Sequence, residues 1–347
     1  MTGEAVPTDV LDEALAALES TAPEFRGRLA NHAPMVAEAM AHAGRDDAVM
    51  PFIRATLPGL DPAPPPGTPI PYDERLAARG HPDRYADWYA TAATDTVLGS
   101  WTTGLEAWIP VLIDGLFTQL GHGAIRTAHA VRSLQRGESE RKLDELHRAL
   151  GYWAAGYEEV LGVADLDGPL DLEGSLAGLA ALPVPIIRSF PDRRRAMERE
   201  PGFAAGLRAL GLTGTPHAMV DRLSAAAARM LVLNRAGNVI YLVHGVTLAG
   251  ATRLLLPYLV PADQTRAVVA LWESIAATVF ISGGRPDLSA DPFEAGESAP
   301  WIELIDAAIA TGDEHAVKFA VAAFDAEHRA ADPIYAVATA EVTRRLG

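Results

Sequence analysis

The stretch Thr311-Gly-Asp-Glu-His-Ala-Val-Lys-Phe319 predicts a helix and places two reactive side chains on it. Thr311, followed three residues later by Glu314, matches a capping box, which predicts that a helix begins here. On that helix His315 and Lys318 are three residues apart, so both project from one face. Neutral imidazole is a common metal ligand. A lysine ammonium has no lone pair, so Lys318 could ligate only if deprotonated or converted to a carbamate. On its own, the segment favours an exposed helix with an unrelated His and Lys.

The rest of the chain predicts an all-α fold. Helical periodicity recurs along all 347 residues, whereas alternating strand patterns are almost absent and no repeat has a fixed period. We predict a single all-helical domain that spans residues 1–347, with a metal site at its centre. The proline-rich connection 59–74 could link two domains, but the short segment before it favours a strap across one body. The apolar stretch 105–136 predicts one long helix, or two joined near Gly121-His-Gly123.

Charge and cysteine usage exclude several classes of protein. The formal net charge of −16 repels phosphate backbones and argues against nucleic acid as a partner. The chain contains no cysteine, which excludes thiol catalysis, iron–sulfur clusters and cysteine-based zinc sites. Any metal must therefore be held by His, Asp, Glu or a modified side chain.

The N-terminal residues and the most apolar window indicate a cytoplasmic protein without a membrane partner. The first residues have neither a basic region nor an apolar run, so no signal peptide is visible. The window from Val239 to Val260 is interrupted by His244, Arg253 and Pro257, which favours a buried helix over a membrane span.

The common cofactor motifs are absent. No Gly-x-Gly-x-x-Gly follows a strand, and there is no P-loop and no Gly-x-Ser-x-Gly elbow. His-Glu-x-x-His and the Glu-x-x-His pairs of di-iron bundles are also missing. The sequence therefore gives no evident site for flavin or NADPH.

Three further histidines lie in apolar helical stretches, where a titratable ring needs a partner. They are His32 beside Pro34, His122 between two glycines, and His244 within Ile240-Tyr-Leu-Val-His244. Each by itself is more typical of a structural histidine bonded to a carbonyl. Together with His315, they give four histidines on four separate helices, which makes a central metal plausible.

Four short motifs, in this order, resemble those of the questin oxidase-like proteins. They are Asn31-His-Ala-Pro-Met35, His122-Gly-Ala-Ile-Arg-Thr-Ala-His129, His244-Gly-Val-Thr247 and Asp313-Glu-His-Ala-Val-Lys318. The resemblance extends from about residue 10 to 345. It implies a non-haem iron oxygenase that uses O₂ on an aromatic polyketide of the anthraquinone or hydroquinone type. The implied reaction is oxidative ring opening or a Baeyer–Villiger-like oxygen insertion.

The resemblance also implies the residues of the site. The expected ligands of Fe(II) are His32, His122, His244, His315 and a carboxylated Lys318, which also counts as a catalytic residue. The chain departs from the fungal members, which resemble His-x-x-Ile-His where it has His122-Gly-Ala-Ile-Arg126. Arg126 and His129 could hold an acidic phenol or quinone oxygen as catalytic residues, or they could bridge neighbouring helices.

Two alternatives remain open at this point. One is a helical binding or scaffolding protein whose histidines are structural. The other is an NADPH-dependent monooxygenase of the same family.

Overall fold

Most of the chain lies in α-helices joined by short loops, in a computed structural model that describes residues 9–159, 161–183, 189–293 and 299–347. The predicted all-α fold is confirmed, and the helices form a single, mostly α domain. The helices are α1 (Val10–Leu18), α2 (Ala33–His42), α3 (Asp46–Thr56), α4 (Arg75–Ala78), α5 (Tyr85–Asp95), α6 (Trp101–Leu112), α7 (His122–Arg136), α8 (Glu140–Ala155), α9 (Leu172–Ala180), α10 (Phe190–Arg199), α11 (Pro201–Arg208), α12 (Pro216–Leu233), α13 (Val239–Leu255), α14 (Pro261–Ser282), α15 (Trp301–Ala310), α16 (Glu314–Ala330) and α17 (Ile334–Leu346). Within the described ranges the only strands are β1 (Glu24–Phe25) and β2 (Leu29–Ala30), which pair as an antiparallel hairpin.

Helix α13 lies at the centre of the fold. It packs against α7, α12, α14 and α16, and α2 packs in turn against α7 and α16. The segments Val239–Tyr258 and Pro261–Ser282 are long and apolar enough to cross a membrane, but 72% and 83% of their most apolar windows are buried inside the fold. Helices in the core of a protein are buried to this extent, and their burial explains why the two segments are so apolar.

Helix α16 begins later than the sequence pattern predicts. Thr311 closes the preceding helix α15, and its hydroxyl donates a hydrogen bond to the Ala308 carbonyl. Gly312 follows with a φ of 70°, a left-handed conformation that ends a helix easily without a Cβ. Asp313 is the N-cap, since its carboxylate accepts from the backbone N–H groups of His315 and Ala316. The capping box at Thr311 was therefore wrong, although His315 and Lys318 do share one helix.

The apolar stretch 105–136 forms two helices rather than one. Between α6 and α7, Gln119, Leu120 and Gly121 take φ values of 48°, 63° and 84° in succession. Two consecutive non-glycine residues in the left-handed region are unusual and strained. This turn reverses the chain and fixes where α7 begins, directly at His122.

The proline-rich connection lies along the surface of the helical body. The carbonyl of Asp61 accepts from the N–H of Ala22, and the N–H of Ile70 donates to the Thr91 hydroxyl at 2.8 Å. Ile70 itself is only 2% exposed. These contacts attach the proline-rich connection to the loop after α1 and to α5, which is the arrangement expected of a strap across one body.

Candidate metal centre

Four histidines from four helices meet in the interior. His32 is the N-cap of α2, His122 is the first residue of α7, His244 lies in the second turn of α13 and His315 is the second residue of α16. Pro34 fixes the start of α2 just after His32, because proline in the first turn gives up no helical hydrogen bond. His32, His122 and His244 are 4%, 8% and 1% exposed, and the His315 side chain is 12% exposed.

The ring nitrogens lie close enough to share one ion. His122 Nε2 is 2.7 Å from His32 Nε2 and 3.2 Å from His244 Nε2. Three histidines, His32, His122 and His315, each contribute one ring nitrogen to a group whose members lie within 4.8 Å of one another. The structure therefore brings together all four histidines that the sequence analysis singled out.

Hydrogen bonds on the outer nitrogens orient two of the rings. His122 Nδ1 lies 2.5 Å from the Gln119 carbonyl, and His244 Nδ1 lies 2.6 Å from the Ile240 carbonyl. Because a carbonyl can only accept, both Nδ1 atoms carry a proton. Neutral imidazole has one N–H, so the two Nε2 atoms direct lone pairs at each other.

Such a donor set fits a metal cation. Converging lone pairs repel unless a proton or a cation lies between them, and burial disfavours a protonated ring. Two nitrogens bound at right angles to one metal with bonds of about 2.1 Å would be about 3 Å apart. The observed separations of 2.7 and 3.2 Å lie on either side of that value. The Nδ1 atoms of His32 and His315 have no hydrogen-bond partner among the described residues.

The surroundings of His32, His122 and His244 favour the neutral form of these three imidazoles. Burial is the main cause that lowers the pKa of His32, His122 and His244 well below the usual value, and Lys318 lowers all three further. The positive ends of α2, α7 and α16 also point at this space, which disfavours a charged ring. Neutral imidazole is the form that binds metals.

Lys318 lies on the same face of α16 as His315 and is 3% exposed. Burial lowers the pKa of Lys318 to about 8, although Glu314 and Asp313 oppose that shift. A Glu314 carboxylate oxygen lies 2.9 Å from His32 Nδ1 but lacks the angles of a hydrogen bond. Burial raises the pKa of Glu314, with Lys318 opposing. Sequence reasoning missed Glu314 as a site neighbour, although its position directly before His315 was the available signal.

Arg126 and His129 are both engaged by carboxylates. Arg126 forms a two-pronged ion pair with Glu145 of α8, at 2.6 and 2.8 Å. His129 Nδ1 lies 2.6 Å from Glu38 of α2. These contacts favour the interpretation that the two residues bridge neighbouring helices. One nitrogen of Arg126, Nη1, has no partner among the described residues.

Glu38 belongs to a larger charged network that sequence reasoning missed. Arg132 contacts both Glu38 oxygens, at 2.9 and 2.6 Å, and reaches Asp325 of α16 at 2.7 Å. His42 pairs with the other oxygen of Asp325. A glutamate in the otherwise apolar helix α2 was a signal that a buried cation faces it.

Together, the fold and the site define a mostly helical protein in which His32, His122 and His315 could hold a metal ion and His244 lies beside them. Residues 222–323 match the family model described as questin oxidase-like. That segment covers less than a third of the chain and includes His244, His315 and Lys318, whereas His32 and His122 lie outside it. The match confirms the resemblance predicted from the motifs. A comparison with curated proteins finds no match.

Proposed function

We propose that this protein is a non-haem iron oxygenase that uses O₂ to oxidise an electron-rich aromatic polyketide. The observation that supports it most is that ring nitrogens of His32, His122 and His315 lie within 4.8 Å of one another, with His244 Nε2 3.2 Å from His122 Nε2. The similarity of residues 222–323 to questin oxidase-like proteins supports the class of reaction. Oxidative ring opening, or a Baeyer–Villiger-like insertion, is the proposed outcome.

In this proposal His32, His122, His244 and His315 hold the iron through ring nitrogens. Imidazole with an oxygen ligand suits iron better than calcium or magnesium. The bound iron supplies the capacity to activate O₂. The hydrogen bonds from His122 to Gln119 and from His244 to Ile240 fix the orientation of two of these rings.

Lys318 provides the oxygen ligand as a carbamate. A divalent cation beside a lysine ammonium and the positive ends of three helices would be strongly disfavoured. Addition of CO₂ to the buried amine replaces the positive charge with a negative one and supplies an oxygen donor. The burial of Lys318 on the same helical face as His315 supports this role.

The electrons for the reaction come from the aromatic substrate. The sequence has no motif for a flavin or NADPH site, and the substrate is a good electron donor when it is a hydroquinone or an anthrone. When both oxygen atoms of O₂ enter the product, no external reductant is consumed. When only one enters, the second leaves as water, and the two further electrons this needs come from the substrate itself or from an external reductant.

An oxygen electrode tests this proposal. Fe(II)-loaded protein should consume O₂ with a hydroxyanthraquinone, an anthrone or a hydroquinone in the absence of NADPH. With ¹⁸O₂, a dioxygenase places both labelled atoms in the product. His244→Ala should abolish the uptake, whereas His328→Ala, at an exposed position on α16, should leave it unchanged. A strict requirement for NADPH together with a bound flavin would refute the proposal.

A further inference from the structure

A pocket of about 190 Å³ lies between α7, α13 and α16, the helices that carry His122, His244 and Lys318. Its inner wall includes Ile125 and Thr247, each three residues after one of those histidines, and Ala322, four residues after Lys318. Three to four residues make one helical turn, about 5.4 Å along the axis. The pocket is therefore a neighbour of the histidine cluster, one turn further along the same three helices.

Two arginines on the pocket wall are only weakly paired with carboxylates. Arg253 Nε lies 3.5 Å from a carboxylate oxygen of Asp221, and Arg329 Nε lies 3.8 Å from the same oxygen. Both guanidinium groups thus share this one carboxylate at distances longer than those of a good ion pair, and Asp325 is a second, weaker influence on Arg329. Arg253 Nε is buried and has no hydrogen-bond partner among the described residues. Burial, and next the charge of Arg329, lower the pKa of Arg253, so the repulsion between the two is not relieved.

The other arginine of the pocket behaves differently. Arg132 is paired with Glu38 and Asp325 at ordinary hydrogen-bond distances. Its charge is compensated within the protein, so it has no need of a ligand. The weakly paired arginines of the pocket are therefore Arg253 and Arg329, which share Asp221.

We infer that this pocket binds a small aromatic carboxylic acid, with the carboxylate on Arg253 and Arg329 and the ring against the apolar inner wall. A guanidinium matches the planar, two-oxygen geometry of a carboxylate. Ile125, Ala251, Leu254 and Ala322 supply the apolar contact. The volume is below the range of about 300–1,000 Å³ for drug-sized ligands, which suits one or two rings. Of the proposed substrates only a hydroquinone is this small, so the idea that such an acid is the substrate of the iron centre rests on the proposed function, whereas its binding does not.

Gly250 offers a way to close the pocket without disturbing the helix. It lies on the pocket wall, and a Cβ at this position would be 3.8 Å from the Ala322 Cβ, an ordinary contact. Replacing glycine within a helix by a residue with a side chain favours the helix by up to about 1 kcal/mol. Gly250→Met should therefore fill the pocket and leave the fold intact.

Isothermal titration calorimetry with 2-naphthoate and its neutral analogue 2-naphthamide tests the inference on the full-length protein. We expect the acid to bind at least about tenfold more tightly than the amide, which corresponds to about 1.4 kcal/mol. Arg253→Gln should remove this preference and Gly250→Met should abolish binding. Arg54→Gln, an exposed arginine on α3, should bind like the wild type. Thermal melting followed by circular dichroism establishes that each variant is folded.

Equal binding of acid and amide, or undiminished binding by folded Gly250→Met, overturns the inference. Iron content is measured on the same samples, because the two proposals fail differently. Iron retained without binding of 2-naphthoate overturns the pocket assignment alone. Binding of 2-naphthoate by a protein that holds no iron supports the pocket and counts against the proposed oxygenase.

Discussion

Lys318 is the residue whose position most needs an explanation. It is 3% exposed, lies beside neutral imidazoles, and makes no ion pair with any carboxylate in the described ranges. Buried lysines are rare unless they are paired or functional. Its burial lowers the pKa to about 8, so the amine gives up its proton far more readily than a surface lysine does. A neutral amine is also the form that reacts with CO₂.

Substitution of Lys318 tests whether it supplies a ligand. Lys318→Ala should lower the iron content and the affinity for iron by roughly tenfold or more, in line with the loss of a supporting group at a metal site. Acetate should restore part of both, because it brings an oxygen donor into the space left by the side chain. Lys318→Arg should not restore them, since guanidinium stays protonated. Iron content of the wild-type level in Lys318→Ala would contradict a ligand role.

Single residues show which parts of the site were predictable. His32, His122, His244 and His315 stand out in sequence because an imidazole is unusual in an apolar helix, and the structure brings their rings together. The partner of His129 could not be identified, since Glu38 lies 91 residues away along the chain. The contact between His122 and the Gln119 carbonyl could not be predicted either, because it involves a backbone atom and does not depend on the type of side chain.

The turn before α7 is the element that positions His122. Gln119 and Leu120 hold left-handed backbone conformations, at φ values of 48° and 63°, which cost roughly 1–3 kcal/mol each for residues other than glycine. This turn presents the Gln119 carbonyl to His122 Nδ1 at 2.5 Å. Strain in the backbone is thus associated with the orientation of a proposed ligand.

A comparison of glycine and alanine at position 120 measures this strain. Both variants lose the buried leucine side chain, but only glycine relaxes in the left-handed region. Leu120→Gly should therefore be more stable than Leu120→Ala by roughly 1 kcal/mol in urea unfolding. At Leu223, inside α12, the order should reverse, with glycine less stable than alanine by about 1 kcal/mol. The same order at both positions would show that the turn is not strained.

Helix boundaries were harder to predict than helices. The Thr311–Glu314 spacing fits a capping box, but Gly312 ends α15 first and leaves the cap to Asp313. The break between α6 and α7 was foreseen only as one of two possibilities. In both cases the helix boundary depends on a residue in the left-handed backbone conformation. Helix propensity along the sequence does not show which residue adopts that conformation.

The buried charges around Glu38 join three helices of the molecule. Glu38 of α2 meets Arg132 of α7, which also reaches Asp325 of α16. Burial would raise the pKa of Glu38, but Arg132 and His129 outweigh it and hold the pKa well below the usual range. A carboxyl whose pKa is depressed on folding stabilises the protein above its unfolded pKa, and this stability is lost as the pH falls towards the folded pKa.

Glu38→Gln should therefore lower the free energy of unfolding by about 3–5 kcal/mol at pH 7, because buried Arg132 loses its buried partner and keeps only the more exposed Asp325. The difference from the wild type should shrink below a pH of about 4.3, where the unfolded carboxyl takes up its proton. Urea unfolding at several pH values measures this. The control Glu19→Gln removes an exposed pair with Arg141, at 3.9 Å, and should change stability by less than about 1 kcal/mol. An effect of Glu38→Gln that is independent of pH would contradict the account.

At the scale of the whole molecule, helical periodicity and the absence of alternating patterns were sufficient for the fold class. The packing of α7, α13 and α16 around one point was not predictable, because nothing in periodicity tells which helices are neighbours. The ordered histidine motifs indicated that their helices meet, since isolated buried imidazoles are costly. The cytoplasmic location stays a prediction.

Metal analysis of the protein gives the most direct test of the central claim that four histidines form an iron site. Wild-type protein, reconstituted with Fe(II) without oxygen and then desalted, should retain close to one iron per chain. His122→Ala, His244→Ala and His315→Ala should each lose most of it, because the remaining ligands form an incomplete site. The exposed His328→Ala should retain as much as the wild type. Wild-type protein that retains no iron, or histidine variants that retain all of it, would contradict the account.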